Sequence, residues 1–349
     1  MRISKPGWSS PYPVGFRDRY GAQIAFNQQV KSQNPSFKTP EIYYYFDEKL
    51  RFAILETIPN PSDPIFPGKL RPFVQEAKKS IERAEDLAKV SMLDVRLDFI
   101  RCSTRIPVKA FEPYLQKNWP VDNNKESTQL IIDQLDKRLQ QYRKTYNKTV
   151  DELFDHFGIN FNFVKDNLAE GIQRLQQRPQ IFVNLDLKTH NLLYPNRDAN
   201  RRPYVVDFDD LLIGDPLLAL AICFEDFPNE YRSQKIEKME REGYISANFL
   251  RGWKKDIQYF QRIVAIRNII GMLPFVLREK KLSLHHLDRF NKFRELCGLE
   301  PIEESPFPIV GKIGLVSIDP SKMNELKELD KPDTPIVRSL NAPAPYRTK

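Results

Sequence analysis

The sequence predicts an α/β protein of two unequal lobes, a reduced strand-bearing N-terminal lobe and a large helical C-terminal one. Three observations carry that expectation. A helical stretch and two short apolar strands lie within 16–58; apolar stripes at helical spacing run through 126–175 and 216–296; a polar hairpin rich in Asp and Asn spans 181–216. The 349 residues suit about two structural units, and 41% hydrophobic with 11% aromatic residues is enough to bury a sizeable core. The expected division is a reduced small lobe at 1–60, a helical lobe at 61–300 holding the hairpin at 181–216, and a proline-rich tail at 301–349.

Taken in order, 16–32 reads as a helix with Phe16, Tyr20, Ile24 (or Gln23) and Val30 on one side, ended by Pro35 and Pro40. Ile42 to Phe46 and Leu50 to Ile58 read as strands joined by a turn at 47–49. Pro59, Pro61, Pro64 and Pro67 then enforce a connector, because proline can continue neither a helix nor a central strand. A helix is expected over 73–89. Val95, Leu97 and Phe99 alternate with Asp94, Arg96 and Asp98 and predict a half-exposed strand. Helices follow over 126–146, with Ile131, Leu135 and Leu139 on the stripe, and through Val164, Leu168, Ile172 and Leu175. Ile181 to Val183, Asn191 to Tyr194 and Tyr204 to Phe208 read as short strands, and the chain after Pro216 as helical to about Leu296, broken near Pro228 and Ser283.

Composition excludes several classes. With 13 glycines against 27 prolines, the chain has no Gly-x-Gly-x-x-Gly and no Gly-x-x-x-x-Gly-Lys-Ser/Thr, which disfavours a dinucleotide fold and a P-loop. Cys102, Cys223 and Cys297 are isolated, and His156, His190, His285 and His286 have no zinc-site spacing, so neither a disulfide framework nor a zinc module is expected. A net charge of +8 favours phosphate-bearing partners, but no block of like charges marks a nucleic-acid surface. The first 15 residues hold no apolar leader, and no run of 18 apolar residues suggests a membrane span, so a cytoplasmic protein is expected. Oligomeric state is not legible.

The chemistry lies in Asn184 to Asp215, NLDLKTHNLLYPNRDANRRPYVVDFDDLLIGD. Asp186 follows a strand, Asn191 comes five residues later, and Asp207 ends the return strand of a hairpin that can bring it back to Asn191. Two oxygen-bearing side chains there suit magnesium, which takes hard oxygen ligands together with substrate phosphates. A carboxylate just upstream can take the proton of an incoming hydroxyl, the division of labour that phosphoryl transfer requires. Asp209 and Asp210 read as turn or capping carboxylates, and Asp215 as the N-cap of a helix opening at Pro216.

This stretch resembles the catalytic core of the aminoglycoside phosphotransferase-like and choline-kinase-like family, within the protein-kinase-like fold. That family's pattern is His-Gly-Asp, four residues, Asn, then Ile-Asp-Phe/Trp-Asp and Gly-Asp-Pro. Here Asn184-Leu185-Asp186 stands first, Asn191 follows at the family's spacing, and Val206-Asp207-Phe208-Asp209 with Gly214-Asp215-Pro216 completes it. The resemblance implies that Asp186 is the catalytic base, that Asn191 and Asp207 hold Mg2+, and that Lys188 approaches the transferred phosphate of ATP. It further implies a hinge at Glu56, Thr57 and Ile58 whose backbone binds adenine. Gly214 comes only seven residues after Asp207 and no Ala-Pro-Glu follows, which favours the small-molecule branch of the fold. Nucleotide and a small-molecule hydroxyl are therefore the expected partners, not nucleic acid or membrane.

Three departures define an alternative. Asn184 replaces the family's histidine. Ala219 replaces an aspartate that braces the catalytic loop. Only 15 residues precede the first helix, too few for a glycine-rich strand pair and a lysine strand, and that helix carries Gln23, Gln28 and Gln29 but no glutamate to pair with such a lysine. The alternative expectation is a catalytically inactive kinase-fold protein that binds nucleotide or a protein partner.

Overall fold

The computed structural model describes residues 2–3, 16–46, 52–59, 93–187, 191–195, 201–208, 210–225, 227 and 229–310. The expected helix at 73–89, the connector beyond Pro59, Lys188, His190, Asp209 and the tail from 311 lie outside these residues.

The small lobe is a three-stranded antiparallel sheet with one helix. Strand β1 (Arg2–Ile3) pairs with β3 (Phe52–Leu55), which pairs in turn with β2 (Ile42–Phe46), giving the order β1-β3-β2. The β2–β3 pair is the expected one, while β1 falls where no strand pattern was visible. Helix α1 (Arg19–Lys31) starts later than expected, because the Asp18 carboxylate accepts from the Gly21 amide at 2.8 Å and caps it. Gly21 itself has no room for a Cβ beside the Tyr114 ring and the Asp18 carboxylate. Phe16 stays outside the helix and is buried against Phe111 and Phe182.

Helix α2 spans 93–104, where alternation predicted a strand. The alternation misleads because two of its three polar members, Arg96 and Asp98, are not solvent-facing; only Asp94 is exposed. Arg96 and Asp98 are as buried as Leu97 and Phe99; Asp98 accepts from Arg101 and from the Ser36 amide, and Arg96 lies over the Phe227 ring. A helix buried on nearly every side loses its amphipathic period.

A 3-10 turn at Val108–Tyr114 leads into α3 (Asn124–Tyr146), capped by Asn123, then α4 (Lys148–His156) and α5 (Phe161–Arg174). Strand β4 (Ile181–Asn184) pairs antiparallel not with the hairpin but with β7 (Leu211–Gly214), from Ile181 opposite Gly214 to Asn184 opposite Leu211. Between them β5 (Leu192–Leu193) and β6 (Tyr204–Val205) form the hairpin. Helix α6 (Pro216–Cys223) is buried along its whole length, and its N-cap is Asp215 as expected, accepting from the Leu217 amide at 2.8 Å. Then come α7 (Asn229–Arg241), α8 (Ala247–Leu250), α9 (Trp253–Glu279), β8 (Leu282–Ser283), α10 (Leu284–Leu296) and β9 (Ile309–Val310), the last pairing parallel with β8. His286 closes the cap of α10 with Ser283. Helix α9 is long and apolar enough to cross a membrane, yet it is the core helix, packed against α6, α10 and α3.

Two features join the lobes. Phe182 of β4 stacks on Phe26 of α1 at 4.7 Å and on Phe111 at 4.8 Å, making one aromatic cluster with Phe99. Beside it, Lys38 bridges β6: its amide donates to the Pro203 carbonyl, and the Val205 amide donates to the Lys38 carbonyl, both at 2.8 Å.

Candidate active site

The hairpin does what the spacing predicted. The Val206 amide donates to the Asn191 carbonyl at 2.8 Å, which seats Asp207 next to Asn191. The Asn191 carboxamide nitrogen donates to both the carbonyl and Oδ2 of Asp186, each at 2.8 Å. Asn191 is buried, whereas Asp186 and Asp207 are half-buried. Asn184, in the histidine slot, tightens the same corner: its Oδ1 accepts from the Asp186 amide at 2.9 Å and its Nδ2 donates to the Asp207 carbonyl at 3.3 Å. The substituted residue therefore supports the loop through hydrogen bonds of its own.

Asp207 has φ of +62°, in the left-handed region that costs a residue with a Cβ about 1–2 kcal/mol. The surroundings hold it there. Phe208 is buried against Phe26 and Phe99, both 6.2 Å away between centroids, and the Leu185 amide donates to the Asp210 carbonyl at 2.8 Å. Asp210 is not a turn or capping carboxylate as expected. Its Oδ2 lies 2.8 Å from Arg267 Nη2 in a largely buried ion pair with α9. Sequence reasoning had no signal for that partner, which lies 57 residues away. Ala219 is buried inside α6, where its methyl group offers no acceptor.

The donor set fits a magnesium ion. Among the described residues no three His, Cys, Asp or Glu gather as a metal centre, but one carboxylate, one carboxamide oxygen and phosphate oxygens are the hard ligands that magnesium takes. With its Nδ2 turned to Asp186, Asn191 keeps Oδ1 on the other side of the amide.

At the expected hinge, Glu56 is half-buried, Thr57 exposed and Ile58 half-buried. The Glu56 amide is spent on the Glu41 carbonyl at 2.8 Å, and its carboxylate accepts from the Glu41 amide and from the Tyr204 hydroxyl. Burial and the Glu56 carboxylate push the Tyr204 phenol up to about 12. Glu56 thus ties the end of β3 to the β5–β6 hairpin, beside a cleft of about 320 Å3 that it lines with Phe37, Lys38 and Tyr204. On α1, Gln23 and Asn27 both donate to the Pro40 carbonyl, and Gln28 and Gln29 are exposed.

The opposite end of the β4–β7 ladder is closed. Asp215 accepts from Arg178 Nε at 3.0 Å, from Asn124 Nδ2 at 2.5 Å and from the Leu217 backbone amide, while Arg178 Nη1 reaches Asp256 at 2.8 Å. Burial pushes the Asp215 carboxyl upward against the pull of these donors.

Comparison with known proteins agrees with the motif reading. Residues 111–256 match the APH phosphotransferase enzyme family, a span that contains Asp186, Asn191, Asp207 and Gly214-Asp215-Pro216. Choline kinase LicA from Streptococcus pneumoniae is similar over 85% of each chain, with 12% identity and a TM-score of 0.50. A thermostable mutant of aminoglycoside phosphotransferase APH(4)-Ia is similar over 80% of this chain and 83% of its own, with 13% identity and a TM-score of 0.47. A choline/ethanolamine kinase family protein from Mesorhizobium loti covers 80% and 78%, with 12% identity and a TM-score of 0.43. No curated protein matches the chain. The chain has the protein-kinase-like fold, and its resemblance to the aminoglycoside phosphotransferase-like and choline-kinase-like family holds on these independent grounds.

Proposed function

We propose that this protein is an ATP- and Mg2+-dependent phosphotransferase acting on the hydroxyl of a small molecule. The observation that carries the reading is the meeting of Asp186, Asn191 and Asp207 across the hairpin, with Asn191 Nδ2 on Asp186 at 2.8 Å and Val206 bonded back to Asn191.

Asp186 is the base in this reading. Its carboxylate, oriented by Asn191, accepts the proton of the acceptor hydroxyl as that oxygen bonds to the terminal phosphorus of ATP and the bond to the bridging oxygen breaks, releasing ADP. Asn191 Oδ1 and the Asp207 carboxylate would hold Mg2+, which supplies neutralisation of phosphate charge. Lys188 is assigned to the transferred phosphate. The Thr57 and Ile58 backbone is assigned to adenine, since the Glu56 amide already has its partner. Nucleotide use is consistent with the ADP- and GDP-bound neighbours of this fold, and a small polar acceptor with their hygromycin and kanamycin complexes.

A second reading has its own observation. Helix α1 carries no acidic residue, and its buried polar residues Gln23 and Asn27 are spent on Pro40. Such a helix offers no carboxylate to a phosphate-binding lysine, as in a kinase-fold protein that binds nucleotide or a partner without turnover.

The deciding experiment titrates Mg2+ and ATP into the full chain by calorimetry and follows phosphate transfer to a panel of amino alcohols and aminoglycosides. The phosphotransferase reading expects Mg2+-dependent ATP binding and turnover that Asp186→Asn abolishes. Binding without turnover selects the second reading, and no binding overturns the phosphotransferase and the nucleotide-binding forms alike, leaving only a partner-binding protein.

A further inference from the structure

We propose that Arg267 of α9 is a positioning residue for the catalytic loop, acting through Asp210. This inference rests on the reading of Asp186 as the base and identifies what holds that base in place.

The loop's geometry needs an anchor outside itself. Asp186 is joined to Asp207 and Asp210 by two links: the amide of its neighbour Leu185 donates to the Asp210 carbonyl, and the Asn184 side chain donates to the Asp207 carbonyl. Both links move if Asp207 and Asp210 move. Asp207 is a left-handed aspartate, φ +62°, a conformation that persists only where surroundings impose it. One wall of that imposition is Phe208 in the aromatic cluster.

The other wall is the Asp210 side chain. It meets Arg267 Nη2 at 2.8 Å, with the two side chains 7% and 14% exposed. Arg267 stands in the middle of α9, flanked by buried Ile266, Ile269 and Ile270, on the helix that packs most closely against α6. A guanidinium there is fixed in position by the core, and its charge-assisted bond fixes Asp210. The chain of contact therefore runs from α9 through Arg267, the Asp210 carboxylate, the Asp210 carbonyl and the Leu185 amide to Asp186. Ala219 of α6, also buried, has no polar atom with which to make such a bond.

The test compares wild type, Arg267→Met, Arg267→Lys and the paired variant Arg267→Met/Asp210→Leu, in which neither charge is left alone. Each is measured for hydrogen exchange at the Leu185 amide, for melting temperature, and for kcat and KM with Mg2+-ATP. The expected result for Arg267→Met is Leu185 exchange faster by at least about tenfold and kcat lower by about 100-fold with KM nearly unchanged. Arg267→Lys, which keeps the charge, recovers part of both. The paired variant regains melting temperature but keeps the fast Leu185 exchange and the low kcat. Recovery of exchange and kcat together with melting temperature in the paired variant would make the ion pair a fold element only and overturn the proposal. Unchanged Leu185 exchange in every variant overturns it too. Because the exchange arm needs no turnover, an inactive wild type would refute the phosphotransferase reading while the clamp is still decided by exchange.

Discussion

The β4–β7 ladder has an aspartate-rich corner at each end, and the two corners are built on opposite rules. At the Asp215 end, Arg178, Asp215 and Asp256 are 0%, 0% and 3% exposed and bond to one another and to Asn124. At the other end, Asp186 and Asp207 stay half-buried and Asp207 adopts a left-handed backbone. Closed, paired charges locate helices: here α3, α6 and α9 through Asn124, Asp215 and Asp256. Half-buried carboxylates on a constrained loop are where the proposed function puts its ligand. The same residue type, one strand apart, is construction at one end and, in the function proposed above, chemistry at the other.

That contrast can be broken by experiment. The largest effect is expected at the open end. Asp186→Asn should lower turnover by about 10^3- to 10^4-fold while melting temperature stays near wild type, read by coupled ATP assay and calorimetry. Retained turnover would remove Asp186 from the role of base.

The closed end should show the reverse pattern. Arg178→Met leaves two carboxylates buried without their cation and should cost about 3–5 kcal/mol in urea unfolding. An equal loss of activity and none of stability would mean that the two corners are not different in kind. Between the ends, Phe182→Ala should cost about 3–5 kcal/mol by opening the aromatic cluster that joins the lobes.

The smallest effect concerns the Glu56–Tyr204 tie. The Tyr204 phenol is raised from 10.0 to about 12 in the folded chain. The unfolded chain therefore releases that proton first, so the stabilisation is whole below about pH 10 and fades as pH rises from 10 to about 12. Tyr204→Phe should lose about 1 kcal/mol at neutral pH and this part of the alkaline decline. An alkaline unfolding profile unchanged by the substitution would argue against the tie.

The candidate site was legible because its parts are close along the chain. Asp186 and Asn191 are five residues apart, and a hairpin of fixed length must return Asp207 to them. Asp215 was legible as a cap for the same local reason. What was hidden depends on distant partners. Arg178 meets Asp256 across 78 residues, Arg267 meets Asp210 across 57, and Tyr204 meets Glu56 across 148. Strand β7 was hidden because Leu211 to Ile213 reads equally as the start of a helix, and helix α2 because the burial of Arg96 and Asp98, each with a partner of its own, imitated a strand's alternation.

The sequence by itself determined the candidate site's loop, the hairpin and the helix start at Pro216, since local spacing, turn residues and capping act over a few residues and need no partner. Only the tertiary structure decided which carboxylates are sealed and which stay open. Burial and charge pairing are properties of what packs on a residue, and α9, which supplies both Asp256 and Arg267, reaches the two ends of one ladder from far along the chain.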